Sequence, residues 1–346
     1  MKKAYIALEN GEVITGRCRS PGESNGEIVF TTAYTGYEES LTDPSYKKQV
    51  LTFSYTLIGN YGVREDRFES DAIQPEAAIA RNFTRDIKTW FDGTDKPAID
   101  NIETRDIVRL IREEGAMKCG IAAGESATPK KAKEELRDCV GMSDRENINE
   151  LAHRDKEVVY GAGNETDVLL VDCGAKDSII TSLVERNACV KLIPCVDATI
   201  DRIDELNPDI VFISNGPGDP AYFETVEGIV DDVIGDIPLA GICLGQQIIA
   251  RGVGGETEKM EFGHRGVNQP VIDEESKQVV MTTQNHGYSV AEPGYLTVTQ
   301  RNVNDDTIEG IGSTELDVIT RQYHPEANPG PHDSLGFFDD VLSLAD

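Results

Sequence analysis

The chain lacks any run of 18 or more apolar residues, so no segment reads as a membrane-spanning helix. Its opening stretch, Met1-Lys2-Lys3-Ala4-Tyr5-Ile6, meets Glu9 before an apolar core of signal-peptide length develops. Cations are scarce: 33 Lys plus Arg stand against 62 Asp plus Glu, a formal net charge of −29 over 346 residues. A surface this acidic repels phosphate backbones and anionic headgroups, so neither nucleic acid nor membrane is expected as a partner. The seven cysteines (Cys18, Cys119, Cys139, Cys173, Cys189, Cys195 and Cys243) are odd in number and contain no CxxC pair. That spacing argues against a disulfide framework and against a tetrahedral zinc site. With no secretion signal, a reducing cytoplasm is the expected compartment. The five histidines, His153, His264, His286, His324 and His332, show no HExxH spacing, and no metal is expected.

What is present describes a globular chain. Apolar residues make up 39% and charged residues 27%, and the length divides into two domains at roughly 150 residues each. The acidic excess is spread along the chain, without a block of consecutive carboxylates, and fits a protein adapted to concentrated salt, where screening removes self-repulsion. Residues 1–150 read as a mixed α/β domain. Asn10-Gly11 predicts a hairpin between Ala4–Leu8 and Glu12–Gly16, with further strands at Glu27–Ala33 and Gln49–Phe53. The spacing of Ile107, Leu110 and Ile111 predicts a helix over Thr104–Glu114, and Thr128-Pro129 opens another. Residues 151–166 turn polar and irregular and read as a linker. Over residues 167–346, strands at Val168–Val171, Val190–Ile193, Asp209–Ile213 and Pro238–Ile242 alternate with helices. This alternation predicts a doubly wound, largely parallel sheet. Val279–Thr283, Leu296–Thr299 and Val318–Gln322 look like later strands, with a closing helix around Leu335–Leu344.

The sharpest local feature is Gly241-Ile242-Cys243-Leu244-Gly245. Here a strand passes directly into a helix, with a glycine two residues either side of a cysteine, the geometry of a nucleophile elbow. The helix N-terminus favours the sulfur anion, and the Leu244 backbone N–H points where an oxyanion would form. A thiol nucleophile needs a base and the base an orienting group. His324 and Glu326, in Tyr323-His324-Pro325-Glu326, follow a late strand, and parallel-sheet topology brings such loops to one rim. Two further loops are expected at that rim. Ser214-Asn215-Gly216-Pro217-Gly218-Asp219-Pro220 offers close-approaching backbone N–H groups, although a phosphate cradle or a simple turn also fits it. Gln284-Asn285-His286-Gly287-Tyr288 suits recognition of a zwitterionic amino acid.

Gly-Ile-Cys-Leu-Gly-Gln, the late His-Pro-Glu and the upstream Ser-Asn-Gly-Pro-Gly-Asp-Pro together resemble the triad-type, class I glutamine amidotransferase domain. The blocks Thr35–Tyr46, Ile58–Gly62, Gly174-Ala175-Lys176, Glu261–Gly266 and Pro329–Asp333 resemble the small, glutaminase subunit of carbamoyl-phosphate synthase. These matches span nearly the whole chain. The resemblance implies that Cys243 attacks the side-chain amide of L-glutamine, that His324 shuttles protons and that Glu326 orients the imidazole. It implies an oxyanion hole from the Gly218 and Leu244 backbone N–H groups. Glutamine would be held by Ser45, Gly216, Gln247, Asn285, Gly287 and Tyr288, while His264 and His286 shape their loops. Ammonia would pass to a large synthetase subunit, on which ATP and Mg are expected; no cofactor is expected on this chain. Carbamoyl phosphate so formed would serve arginine and pyrimidine biosynthesis. Alternatives are a glutaminase subunit of anthranilate or GMP synthase type, a free γ-glutamyl hydrolase, or a non-catalytic scaffold subunit.

Overall fold

The computed structural model describes residues 2–144, 151, 154 and 156–345. The chain separates into two compact units, Met1–Arg145 and Glu146–Asp346. His153 and part of the expected linker lie outside the described residues.

In the first unit, β1 (Lys3–Leu8), β2 (Val13–Ser20) and β3 (Gly22–Thr31) precede a short helix α1 (Tyr37–Thr42). There follow β4 (Gln49–Phe53), β5 (Leu57–Ile58), β6 (Ala77–Ile79), β7 (Asn82–Phe83), α2 (Arg85–Phe91) and β8 (Ala98–Asp100). The unit ends in α3 (Thr104–Glu114), β9 (Met117–Gly124) and α4 (Pro129–Asp138). Seven of these strands close into a barrel in the order β1-β2-β8-β6-β4-β3-β9. The expected hairpin forms, with Ala7 opposite Val13 and Gly11 at φ 94°. Helix α3 has the expected bounds, burying Ile107 and Ile111 and stopping at Gly115, φ 87°. Thr128 caps α4 by accepting a hydrogen bond from the Lys131 N–H, as its position before proline suggests. Closure of the barrel was not expected, because its parallel pairs β4–β6 and β6–β8 join strands too short to show a period. Asp100, fully buried at the end of β8, is held by Arg17 Nε at 2.7 Å and Arg19 Nε at 3.0 Å.

The second unit holds β10 (Val158–Tyr160), β11 (Thr166–Asp172), α5 (Asp177–Val184), β12 (Ala188–Pro194), α6 (Ile200–Leu206) and β13 (Ile210–Ile213). It continues through α7 (Glu224–Val233), β14 (Leu239–Ile242) and α8 (Leu244–Gly252). Then come β15 (Glu256–Asp273), β16 (Val279–Glu292), β17 (Thr297–Asn302), β18 (Ile308–Ser313), β19 (Val318–Arg321) and α9 (Phe337–Leu342). All its strands join one ten-stranded sheet, β10-β12-β11-β13-β14-β19-β18-β16-β15-β17. Alternation along β11 divides the core: Leu169 and Val171 pack with α6, α7 and α8, whereas Val168 and Leu170 pack with α5 and α9. That is the doubly wound arrangement.

Two expectations need correction. The parallel part is confined to β12-β11-β13-β14-β19; the strands beyond β19 are antiparallel, and β15 and β18 were not anticipated. Polar residues interrupt β15 (Glu256, Lys259, Glu261, Arg265, Asn268), because much of it is solvent-facing, and this hid it from a search for apolar runs. The stretch read as a linker, residues 151–166, contains β10, whose Val158 and Val159 are exposed on an edge strand paired with β12.

Because acids outnumber cations by 29, added salt should remove more repulsion than attraction. Raising KCl from about 0.1 M to about 1 M shortens the screening length from about 10 Å to about 3 Å. The melting temperature should rise across that range; scanning calorimetry showing a flat or falling value would refute the salt-adapted reading.

Candidate functional site

The elbow is built from close packing. Cys243 stands between β14 and α8 at φ 55°, ψ −105°, a conformation costly for any residue with a Cβ. The flanking glycines make it possible. A Cβ on Gly245 would lie 2.1 Å from the Ile213 carbonyl oxygen, and one on Gly241 would lie 2.7 Å from Ile249 Cδ1. The Cys243 N–H donates to the Arg321 carbonyl at 2.7 Å, locking the turn to β19. The side chain is buried, with Sγ 3.8 Å from the Asn285 carbonyl oxygen.

His324 follows β19, and its N–H donates to the Thr283 carbonyl of β16 at 2.8 Å. Its Nδ1 meets Glu326 Oε1 at 2.6 Å, both side chains being shut off from solvent. Glu326 Oε1 also accepts from Lys176 Nζ at 2.9 Å, and the same ammonium donates to the Ala327 and Asn328 carbonyls at 3.0 and 2.9 Å. Burial opposes charge on each of these groups. For Glu326 the ammonium of Lys176 and then the imidazole outweigh burial, holding the carboxyl well below its usual range, at about 2. For His324 burial is outweighed first by Glu326 and then by the Cys243 side chain, lifting the imidazole to about 10. With Nδ1 committed to Glu326, Nε2 is buried without a hydrogen-bond partner among the described residues, and the Cys243 side chain acts on the ring from nearby.

The surrounding segments converge on the elbow. Gly216 packs so tightly that a Cβ would lie 2.1 Å from the Cys173 carbonyl oxygen and 3.1 Å from Leu244 Cδ2. Gly218, at φ 109°, takes a conformation that suits glycine. Ser214 Oγ accepts from the Cys173 N–H at 2.9 Å, tying this loop to the end of β11. Gln247, one turn into α8, donates its amide to the Tyr288 carbonyl at 2.8 Å and to Gln322 Oε1 at 3.1 Å. The backbone carbonyls of Asn285 and Tyr288 thus stand next to Cys243 and Gln247, but not on a loop after a strand. They lie inside β16, opposite an irregularity in β15 between Lys259 and His264. Ser45 sits in the first unit on the tight turn Pro44–Tyr46, where its N–H donates to Asp43 Oδ1 at 2.9 Å; its part in holding glutamine rests on the family resemblance. His264 and His286 lie opposite one another on β15 and β16.

Two participants were missed. Lys176 was noted only within a motif; a lysine between a buried strand and an apolar helix start was the available signal. Gln322, fully buried, fixes Gln247 and carried no signal beyond its place at the end of β19.

A strained cysteine elbow and a buried His–carboxylate pair stand on a doubly wound α/β sheet, and similarity to known proteins gives the class of domain. Residues 169–344 match the family model described as glutamine amidotransferase class-I. Residues 6–121 match that of the carbamoyl-phosphate synthase small chain, CPSase domain. The chain is 60% identical to the carbamoyl phosphate synthase small chain of Halobacterium salinarum, over 100% of this chain and 98% of that one. It is 41% identical to the small chain of Methanocaldococcus jannaschii, covering 99% of each. It is 38% identical to the arginine-specific small chain of Bacillus subtilis, covering 98% of this chain and 96% of that one. The chain belongs to the carbamoyl phosphate synthase small chain family, the glutamine-hydrolysing component of that enzyme.

The charge chain sets a pH window. Glu326 titrates below its unfolded value, so its contribution to stability is present above about pH 4.3 and is lost as pH falls toward 2. His324 titrates above its unfolded value, so its contribution is complete below about pH 6.5 and is lost as pH rises through 10. Lys176→Met removes the largest influence holding Glu326 ionised. The acid limb of the kcat/KM profile for glutamine should therefore move to higher pH while KM changes little. An unmoved limb would remove Lys176 from the site's electrostatics.

Proposed function

We propose that this chain releases ammonia from L-glutamine through a Cys243-His324-Glu326 triad and a γ-glutamyl thioester. The observation that supports the reading is the buried Nδ1–Oε1 bond, which leaves Nε2 of His324 free to serve the Cys243 side chain, a group that acts on the same ring. Cys243 Sγ attacks the side-chain amide carbon, and the oxygen that gains charge is held by the Leu244 and Gly218 backbone N–H groups. His324 gives its proton to the departing nitrogen, the C–N bond breaks and ammonia leaves. The same imidazole then takes a proton from water, which attacks the thioester and frees glutamate. Glu326 keeps Nδ1 protonated and the ring in place, and Lys176 keeps Glu326 ionised.

Binding follows from the same geometry. Both amide hydrogens of Gln247 are committed, so its Oε1 is the atom to accept from the substrate ammonium. Asn285, Gly287 and Tyr288 would close the opposite side, and Gly216, packed against the Cys173 carbonyl, would offer its backbone to the substrate. Ammonia then passes to a large synthetase subunit, where ATP and Mg2+ drive carbamoyl phosphate formation for arginine and pyrimidine biosynthesis. Among the described residues, no helix is long and apolar enough to cross a membrane.

The test uses the chain assembled with its large subunit. Cys243→Ala should lower glutamine-dependent carbamoyl phosphate formation by roughly 10⁴-fold or more while leaving ammonium-dependent formation intact. Retention of the glutamine-dependent rate would refute the nucleophile. Stoichiometric labelling of the wild type, but not of Cys243→Ala, by a glutamine-like alkylating agent should follow, and its absence would favour a scaffold subunit.

A further inference from the structure

Behind the segment that carries Asn285 and Gly287 lies a second group of chemistry-bearing side chains. His264 on β15, His286 on β16 and Glu309 on β18 are buried, and each offers a ligand atom within 4.8 Å of the others. The three strands are neighbours in the sheet, and His264 and His286 are directly paired across β15 and β16, their rings 5.0 Å apart and nearly perpendicular.

The hydrogen bonds around them have the form that metal sites use. His264 Nε2 meets Asp305 Oδ2 at 2.7 Å, and His286 Nδ1 meets the Tyr288 carbonyl oxygen at 2.8 Å. A carboxylate and a carbonyl accept, so those nitrogens carry the protons and His286 Nε2 is left with a lone pair. At His264 burial is outweighed by Glu309 and Asp305, which lift the imidazole above its usual range; it presents a lone pair at Nδ1 once a metal ion displaces its second proton. Such outer partners fix ring orientation and tautomer in histidine-ligated metal centres. What the lone pairs face is acidic or accepting. His264 Nδ1 stands 3.5 Å from Glu309 Oε1, and His286 Nε2 stands 3.2 Å from Gln284 Oε1. Among the described residues His264 Nδ1 and Glu309 Oε2 are buried without a hydrogen-bond partner. Two ligands bound at about 2.1 Å to a tetrahedral ion stand about 3.4 Å apart, close to the His264–Glu309 separation.

We propose that His264 Nδ1, His286 Nε2 and the Glu309 carboxylate bind one borderline divalent cation of the zinc class, with Gln284 Oε1 or water completing the shell. Two imidazoles and one carboxylate select such an ion over Mg2+, which prefers all-oxygen shells. A cavity lined by Ser289, Asp305 and Ile308 reaches one of the three ligands, His264. This revises the expectation that no metal binds. Sequence spacing hid the site because its ligands sit on three separate strands. The ion is structural: it clamps His286 and thereby the backbone of Asn285 and Gly287. That last step rests on the proposed glutamine site, but binding of the ion does not.

The full-length chain, made without a polyhistidine tag in zinc-containing medium and rinsed of loose metal, is analysed by elemental mass spectrometry. About one zinc per chain is expected, falling below about a tenth in His264→Gln and Glu309→Gln but retained in His332→Gln, an exposed position. Replacement by cobalt should give visible d–d bands without sulfur-to-cobalt charge transfer. Should a variant fail to fold, the wild type decides by withholding one equivalent of Zn2+, undisplaced by Mg2+, from a chromophoric chelator. Zinc removal should raise KM for glutamine more than it lowers kcat. A wild type that neither retains nor takes up zinc overturns the site, as do folded variants that hold as much zinc or a cobalt spectrum showing thiolate ligation. A bound ion whose removal leaves KM unchanged keeps the metal site and removes its link to glutamine binding.

Discussion

The bond between the Lys176 ammonium and the Glu326 carboxylate is made where neither side chain meets water, and the second unit is fitted around it. Taking two charges out of water costs several kcal/mol each, and a lone pair in such a place contributes little net stability. This pair is not alone. The ammonium spends its other protons on two carbonyls, and the carboxylate shares an oxygen with the imidazole. Lys176 enters from the start of α5 on one side of the sheet's parallel half, while His324 and Glu326 enter from the loop after β19. The charge chain therefore ties the first strand of the parallel half to the last, and the cysteine elbow lies between them. Any displacement of β14 relative to β19 would break the Cys243–Arg321 backbone bond as well.

Close packing adds a second constraint of a different kind. The elbow needs Cys243 at positive φ, and that conformation persists only because Gly241 and Gly245 let β13, β14 and α8 approach to within van der Waals contact. The strain is held by burial of Ile248 and Ile249 against the sheet, since both are fully excluded from solvent. Charge chain and elbow are independent in sequence but act on one another, the Cys243 side chain being among the groups that raise His324.

Much of this was legible because each feature had a local signature. The bounds of α3 followed from apolar spacing and Gly115, and the elbow from two glycines and a cysteine at a strand–helix junction. Parallel strands that are buried on both faces show as uninterrupted apolar runs, so β11 through β14 were found within a residue or two. What was hidden depends on partners distant in the chain. Strand β15 exposes much of its length and so carries no apolar run. Lys176 looks like an ordinary helix-start lysine until residue 326 is placed beside it. The segment 284–288 resembles a loop in composition, yet it is strand, because its backbone pairs with β15 while Gln284 and His286 bond to Thr282, to the Tyr288 carbonyl and to each other within β16.

Among the buried carboxylates of this protein, Asp100, Glu326 and Glu309 are compensated unequally. Asp100 faces two guanidiniums, one of them through two short bonds. Glu326 faces an ammonium and an imidazole. Glu309 is as deeply buried, but its neighbours are the Asn302 amide at 3.1 Å and a single imidazole nitrogen at 3.5 Å. A carboxylate removed from water with so little positive charge nearby must either take up a proton or meet a cation. A protonated Glu309 would donate to His264 Nδ1 and leave only His286 Nε2 facing an acceptor, whereas the proposed divalent ion would satisfy all three groups at once. The parallel half of the sheet balances the buried charge of Glu326 with residues of its own, and the proposed ion would do the same for Glu309 in the antiparallel half.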